Sequence, residues 1–221
     1  MTTETAGADR RGARRRRQIC EAALDLAAGG GNRAVTHHAI DSRLGIARGS
    51  TSYYYRTRQD LLESAIAHLS RTSRDVFQSA LATTQWDETD SVMSAAVFIS
   101  AHVDHLLHDR RRDVLARYAL AADAASDVTL RSALAGCLFS LTAARDLMAF
   151  LGAADPAGDA HDLLSLLEGL LFDRLYGARS LLHIPAGTPA STADLTPVIY
   201  RWLATAACTV DDTTTSGPPP G

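Results

Sequence analysis

Arg48, Ser50, Thr51 and Ser52 run directly into Tyr53, Tyr54 and Tyr55, and Arg56 and Arg58 follow. A guanidinium fork, three small hydroxyls and phenol groups make a donor-rich segment with little else in it. Such groups bond to phosphate oxygens and base edges. Tyrosine is costly to expose and costly to bury with its OH unpaired, so three in a row need three different settings. Successive helical residues diverge by about 100°, so one face cannot hold all three. Tyr53 is expected to point its OH at a phosphate, with Tyr54 and Tyr55 packing against neighbouring helices. Gly49 lets backbone come close to a partner.

The elements that must position this segment can be read on either side of it. Thr36 is an expected N-cap for a short helix over 37–43 that carries Ala39, Ile40 and Leu44 inward. Gly45 makes a tight turn, and a second short helix is expected over 47–53. Upstream, Ile19, Ala22, Ala23 and Leu26 form a helical stripe over 14–28 that ends at GGGN, 29–32. Downstream, Leu61, Leu62, Ala65, Ile66, Leu69 and Val76 mark a helix over 58–83. A short helix, a Gly turn and a second short helix make a helix-turn-helix, whose second helix enters a DNA major groove. Thr36, His37, Ala47, Arg48, Ser50, Thr51, Ser52, Tyr53 and Arg58 are the candidate DNA contacts. Arg14 and Arg17 join them from the basic run RRGARRRR, 10–17, which is either a solvated tail or non-specific phosphate clamp or enters a flanking minor groove.

Charge agrees with this division. All 22 basic residues are arginine, and the net charge is −3. Residues 1–60 hold 11 arginines against 6 acids, and the rest of the chain 11 against 19, so a basic head of +5 precedes an acidic body of −8. The head suits a polyanion and the body does not.

The spacing of the head resembles the TetR family of bacterial regulators. That family reads roughly T-x-x-x-I-A-x-x-x-G-V-S-x-G-T-L-Y-x-Y-F-x-x-K-x-x-L. Thr36, Ile40, Gly45, Ile46, Gly49, Ser50, Tyr54, Tyr55, Arg58 and Leu61–Leu62 occupy the matching places over about 14–62. Residues 116–134 also look like helix 6 and 7 sequence of that family. Three departures stand out. Asp41 replaces a small apolar residue, Ala47 replaces the usual hydroxyl cap, and Thr51-Ser52 replace Leu-Tyr.

The resemblance implies that helices 5–7 enclose a ligand pocket and that helices 8 and 9 join two copies. The remaining helices are expected over about 87–108, 110–125, 128–152, 160–180 and 192–208, with Asp87, Asp109 and Asp127 as caps. The chain is thus expected to be all-α with about nine helices. Its parts are a disordered tail over 1–13, the head over 14–60, a ligand-binding and dimerisation domain over 61–209, and a disordered tail over 210–221. Trp86, Phe98, His102, His105, Tyr118, Leu141, Arg145 and Met148 are the candidate pocket residues. The helix over 128–152 is expected at the centre of the body, with Arg145 and Asp146 needing ion-pair partners.

Leu163, Leu167, Leu170, Leu171 and Arg174, with Trp202 and Leu203, are the candidate dimer seam. The apolar arc of the helix over 160–180 is wide enough for two buried faces. Those two faces could also both close within one chain.

His102, His105 and His108 spread around their helix and do not converge, so neither metal nor cofactor is expected. No GxSxG elbow, zinc-protease spacing, P-loop or Rossmann glycine pattern is present, which argues against an enzyme. Three scattered cysteines, no apolar leader and no membrane-length apolar run lead to an expected cytoplasmic location. The expected function is a homodimeric repressor on double-stranded operator DNA, released by a small-molecule effector. The alternative is a DNA-bound regulator controlled by a protein partner, or an activator.

Overall fold

A computed structural model of the chain describes residues 2–87, 89–125 and 127–208. The tail expected over 210–221 lies outside them. Ten α-helices and two short 3-10 turns, with no strand, make up the described residues. They are α1 (Thr2–Gly30), α2 (His37–Leu44), α3 (Ser50–Tyr54), α4 (Arg58–Thr83) and α5 (Ser91–Leu107), then α6 (Arg111–Ala124), α7 (Val128–Ala135), α8 (Leu141–Phe150), α9 (Pro156–Tyr176) and α10 (Pro189–Cys208).

The tenth helix comes from a break in the segment expected as one helix over 128–152. Gly136 follows the last turn of α7, and Ser140 starts α8 by accepting the Ala143 N–H at 3.2 Å. Glycine is a poor helix residue and serine a good cap, so the helix restarts instead of continuing. Two other caps also differ from expectation. Asp90, not Asp87, caps α5 through the Met93 N–H at 2.9 Å, while Asp87 bonds to Thr89. Asp109 is taken by His105 Nδ1 at 2.7 Å, and α6 starts without a side-chain cap. Asp127 does cap α7, accepting from the amides of Thr129 and Leu130. α1 begins at Thr2, so residues 2–13 are helical where a disordered tail is expected. The arginines and alanines of this stretch are good helix formers.

The chain forms two compact units. The first takes in residues through Gln78 together with Arg110–Phe139, a wider span than the expected head. α6 is the main packing partner of α1. Ile19 and Leu24 of α1, Ile40 of α2, Leu61, Leu62, Ile66 and Leu69 of α4, and Val114 and Leu120 of α6 are buried. Each such side chain contributes roughly 1.5–3 kcal/mol. An ionic network runs over the α1 surface. Arg112 of α6 reaches Glu21 at 2.7 Å and Asp25 at 3.4 Å, and Arg43 of α2 reaches Asp25 at 2.8 Å. Burial alone would push the Glu21 carboxyl up, but hydrogen bonds from His68 and Arg112 outweigh it and hold the carboxyl below its usual value.

The second unit comprises Ser79–Asp109 and the described residues from Ser140 onward. Its centre is α5, with Ala95, Ala96, Ile99, Val103, Leu106 and Leu107 all buried, rather than the helix over 128–152. α10 lies along α5 with Leu195, Ile199 and Leu203 buried at i, i+4 and i+8. α8 packs on α9, burying Met148, Leu163, Leu167 and Leu171. The α9–α10 connection is tied down at Gly187, whose N–H donates to both Asp104 oxygens at 3.0 and 3.1 Å. Its φ is +77°, and a Cβ there would stand 2.6 Å from the His108 ring. Only glycine fits.

Candidate nucleic-acid interface

α3 has five residues, too few to be stable alone. Its neighbours hold it at both ends. At its start, the Asp41 carboxylate of α2 accepts the Gly49 N–H at 2.7 Å, the Thr51 N–H at 2.9 Å and the Thr51 hydroxyl at 2.7 Å. Asp41 is only 2% exposed. Burial alone would push its carboxyl up, but the bonds from Thr51 and Gly49 outweigh this and hold it below the ordinary aspartate value. At the end of α3, His37 Nε2 donates to the Tyr55 carbonyl at 2.8 Å. The Tyr55 ring is buried, with its OH 3.5 Å from Cys20 Sγ. Burial and the Cys20 contact push the Tyr55 phenol up to about 12.

The three tyrosines therefore do three different things. Tyr55 is a core residue. Tyr54 lies under the Arg16 guanidinium, 5.5 Å from its ring centroid, a cation–π contact to α1. Tyr53 is 83% exposed and meets the Tyr54 ring edge-on at 5.2 Å. Ala47, Arg48 and Ser52 are also exposed, and Ser50 is half-buried. Arg48 in the turn before α3 and Ser52 and Tyr53 on α3 thus form an exposed, donor-rich edge. Arg14 and Arg17 are exposed one turn apart on α1. Thr36 is exposed, and its hydroxyl accepts the Ala39 N–H at 3.1 Å as the expected cap.

Three candidate DNA contacts are placed differently from expectation. Thr51 is buried and its hydroxyl is committed to Asp41, so it does not face a ligand. His37 spends Nε2 on the Tyr55 carbonyl. Arg58 turns back to the Asn32 carbonyl at 3.1 Å and to its side-chain oxygen, bracing the turn after α1. Asp41 is the important residue absent from the candidates. Its signal was present as an acid in an apolar place, but the groups it serves lie eight and ten residues away.

The candidate pocket residues do not form one set. Tyr118 belongs to the first unit, with the Arg117 guanidinium 5.6 Å from its ring centroid. In the second unit, Trp86 and Phe98 lie 5.6 Å apart, His102 and Met148 are buried, and His105 pairs with Asp109. Leu141, Arg145 and Asp146 are exposed, so the two charges are met by water and do not need the expected buried pairing. The break before α8 sets its faces independently of α7. Within the first unit, an opening of about 270 Å³ lies between α6 and α7, lined by Arg117, Ala121, Ala124, Arg131 and Leu134. Alanines are too small to fill this space. Arg117 Nε donates to the Leu134 carbonyl and Arg131 Nη1 to the Ala125 carbonyl, each at 3.2 Å. None of these lining residues was a candidate. Among the described residues, no three His, Cys, Asp or Glu side chains group so as to hold a metal ion. No helix of the described residues is long and apolar enough to cross a membrane.

The expected dimer seam is corrected as well. Leu163, Leu167, Leu170, Leu171 and Leu203 are buried within the single chain, so they are not available to a second copy. Arg174 is buried in an internal network, and Trp202 is half-buried. The outward stripe of α9 consists instead of Ser165, Gly169, Phe172 and Tyr176 at i, i+4, i+7 and i+11. Phe172 and Tyr176 are 53% and 54% exposed with rings 5.4 Å apart, and the space above Gly169 is open.

Comparison with known proteins agrees with this architecture. The chain is similar to SCO1917, a TetR-family member from Streptomyces coelicolor A3, at 22% identity over 85% of this chain and 97% of that one, with a TM-score of 0.62. It is similar to a transcriptional regulator (RHA1_ro04179) from Rhodococcus sp. Rha1, at 19% identity over 86% and 95%, with a TM-score of 0.63. The multidrug binding protein EbrR, solved with imidazole, is similar at 23% identity over 85% and 94%, with a TM-score of 0.58. No curated protein matches the chain by sequence. Residues 90–205, more than half of the chain, match the family described as Tetracyclin repressor-like, C-terminal domain. With that match over the body and a helix-turn-helix before it, the chain belongs to the TetR family of transcriptional regulators.

Proposed function

We propose that this protein is a repressor that binds a pseudo-palindromic operator as a homodimer and leaves it when a small molecule binds. The observation that carries this reading is the exposed edge made by Ser52 and Tyr53 on a helix pinned at both ends and by Arg48 in the turn directly before it. A pinned helix keeps its donors in one geometry, as base readout requires. Arg48 is the forked donor of the set, suited to guanine. Arg48→Ala is expected to cost about 1–3 kcal/mol of operator affinity and to relax selection at one base pair. Unchanged binding would remove Arg48 from the readout.

The basic run of α1 is helical, and a helix roughly 10–12 Å across does not fit a minor groove about 6 Å wide. The run therefore serves phosphates. Removing residues 1–13, which takes away Arg10 and Arg11, is expected to weaken all duplexes alike. A loss confined to one sequence would restore the minor-groove role.

An effector is supported by the fold likeness to EbrR, solved with imidazole and with ethidium. A ligand that prefers one of two head placements by a few kcal/mol suffices for release. The function is tested by fluorescence anisotropy with DNA flanking the chain's own gene, against a scrambled duplex, over a salt series. Selectivity of about 10³ or more, falling steeply in strength with salt, is expected. Equal binding to both duplexes overturns the proposal.

A further inference from the structure

The three departures of the head from the family pattern fall around one side chain. Asp41 stands in place of a small apolar residue, Ala47 in place of a hydroxyl cap, and Thr51 in place of leucine. An alanine–leucine contact at 41 and 51 would be apolar and non-directional. Here the same two positions are joined by hydrogen bonds to a buried carboxylate, and the Gly49 amide adds a third bond. The acceptor that a hydroxyl at 47 would supply locally comes instead from the preceding helix.

We infer that Asp41 is a positioning residue for DNA reading: it fixes the angle between α2 and α3, and so decides which bases Arg48, Ser52 and Tyr53 reach. The inference rests on the DNA-reading function proposed above. Three features support it. α3 receives no side-chain bond from its own N-cap, Gly49, which sits at φ +89°. Without the Asp41 carboxylate, only backbone bonds such as Ser50 N–H to the Ala47 carbonyl at 3.0 Å hold that end. The Thr51 hydroxyl, a candidate base contact by sequence, is turned inward, so the reading surface is narrowed to the residues on either side. The Gly49 and Thr51 amides are spent on the carboxylate and are not offered to phosphate.

The test uses the full chain, with operator and scrambled duplexes in parallel. Asp41→Ala is expected to lower operator affinity by about 10- to 100-fold, the scale of one mismatched base pair. Scrambled-duplex affinity should hold within about twofold, because the phosphate-binding arginines are untouched. Asp41→Asn, which keeps the size and one acceptor oxygen, should recover part of the loss. The triple variant Asp41→Ala, Ala47→Ser, Thr51→Leu restores the usual family residues and guards against simple unfolding. It is expected to recover helix content and melting temperature but not the selectivity for the natural operator. Full recovery of selectivity in the triple variant would reduce Asp41 to one of two interchangeable supports and overturn the inference. Retained selectivity in Asp41→Ala would also overturn it, and so would an equal loss on both duplexes. A wild-type chain that does not distinguish the duplexes would instead overturn the DNA-reading function itself, and this inference with it.

Discussion

Arg174→Met is expected to destabilise the protein by about 3 kcal/mol, although the substitution fills the same space with an apolar side chain. Arg174 is 9% exposed, and its guanidinium gives three bonds: to Asp194 at 2.9 Å, the Ile184 carbonyl at 3.0 Å and the Ser191 hydroxyl at 2.9 Å. These tie α9 to the connection after it and to the first turns of α10. Methionine fills the space but donates nothing, so a part-buried carbonyl and the buried Ser191 hydroxyl lose this donor. Breaking a buried pair usually costs about 3–5 kcal/mol. The low end applies because Arg179 also holds Asp194, at 2.8 Å, and keeps that charge compensated. The midpoint of thermal unfolding should fall by roughly 6–12 °C. Arg179→Ala, at a more exposed site, should cost about 1 kcal/mol or less. Equal, small losses in both variants would mean that the network is only a surface feature.

Phe172→Arg is expected to halve the mass in solution and to cut operator affinity by about 10²- to 10⁴-fold, because two half-site contacts would no longer be linked. The proposed seam is the outward stripe of α9, where Phe172 and Tyr176 expose aromatic rings beside an open glycine. An arginine there meets water in the monomer, so the melting temperature of a monomeric form should barely move. The contrast is Leu167→Arg. Leu167 is buried against its own chain, and a charge there should unfold the second unit before it separates two copies. Sedimentation or light scattering on both variants, beside a melt, separates the cases. An unchanged mass for Phe172→Arg would place the seam elsewhere.

Most of the head was legible because its signals are local. Thr36 caps its own helix, Gly45 ends that helix in the left-handed region, and the stripe of α4 repeats at helical spacing. The meaning of Asp41 was not legible, because it depends on Gly49 and Thr51 meeting it across a turn. The candidate seam leucines turn out to be interior for a related reason. The leucines of α9 establish a wide apolar arc, but composition does not say which part of the arc its own chain covers. Arg145 and Asp146 were read on a helix assumed continuous from 128. Once Gly136 and Ser140 divide it, the faces of α8 no longer follow from those of α7. The opening between α6 and α7 arises from the smallness of several alanines. Such an absence of bulk has no motif.

The first unit is assembled from two stretches of sequence, with residues 79–109 threaded between them. This has a consequence for anyone recombining regulators. A head cut at residue 78 would lose α6, the helix that covers α1, along with Arg112 and its bonds to Glu21 and Asp25. Such a fragment would present a bare apolar face and an unbalanced pair of acids, and would aggregate sooner than fold. The proposed DNA-reading head is therefore not a cassette that can be spliced onto another body at one junction. A working chimera would have to exchange residues 110–139 as well.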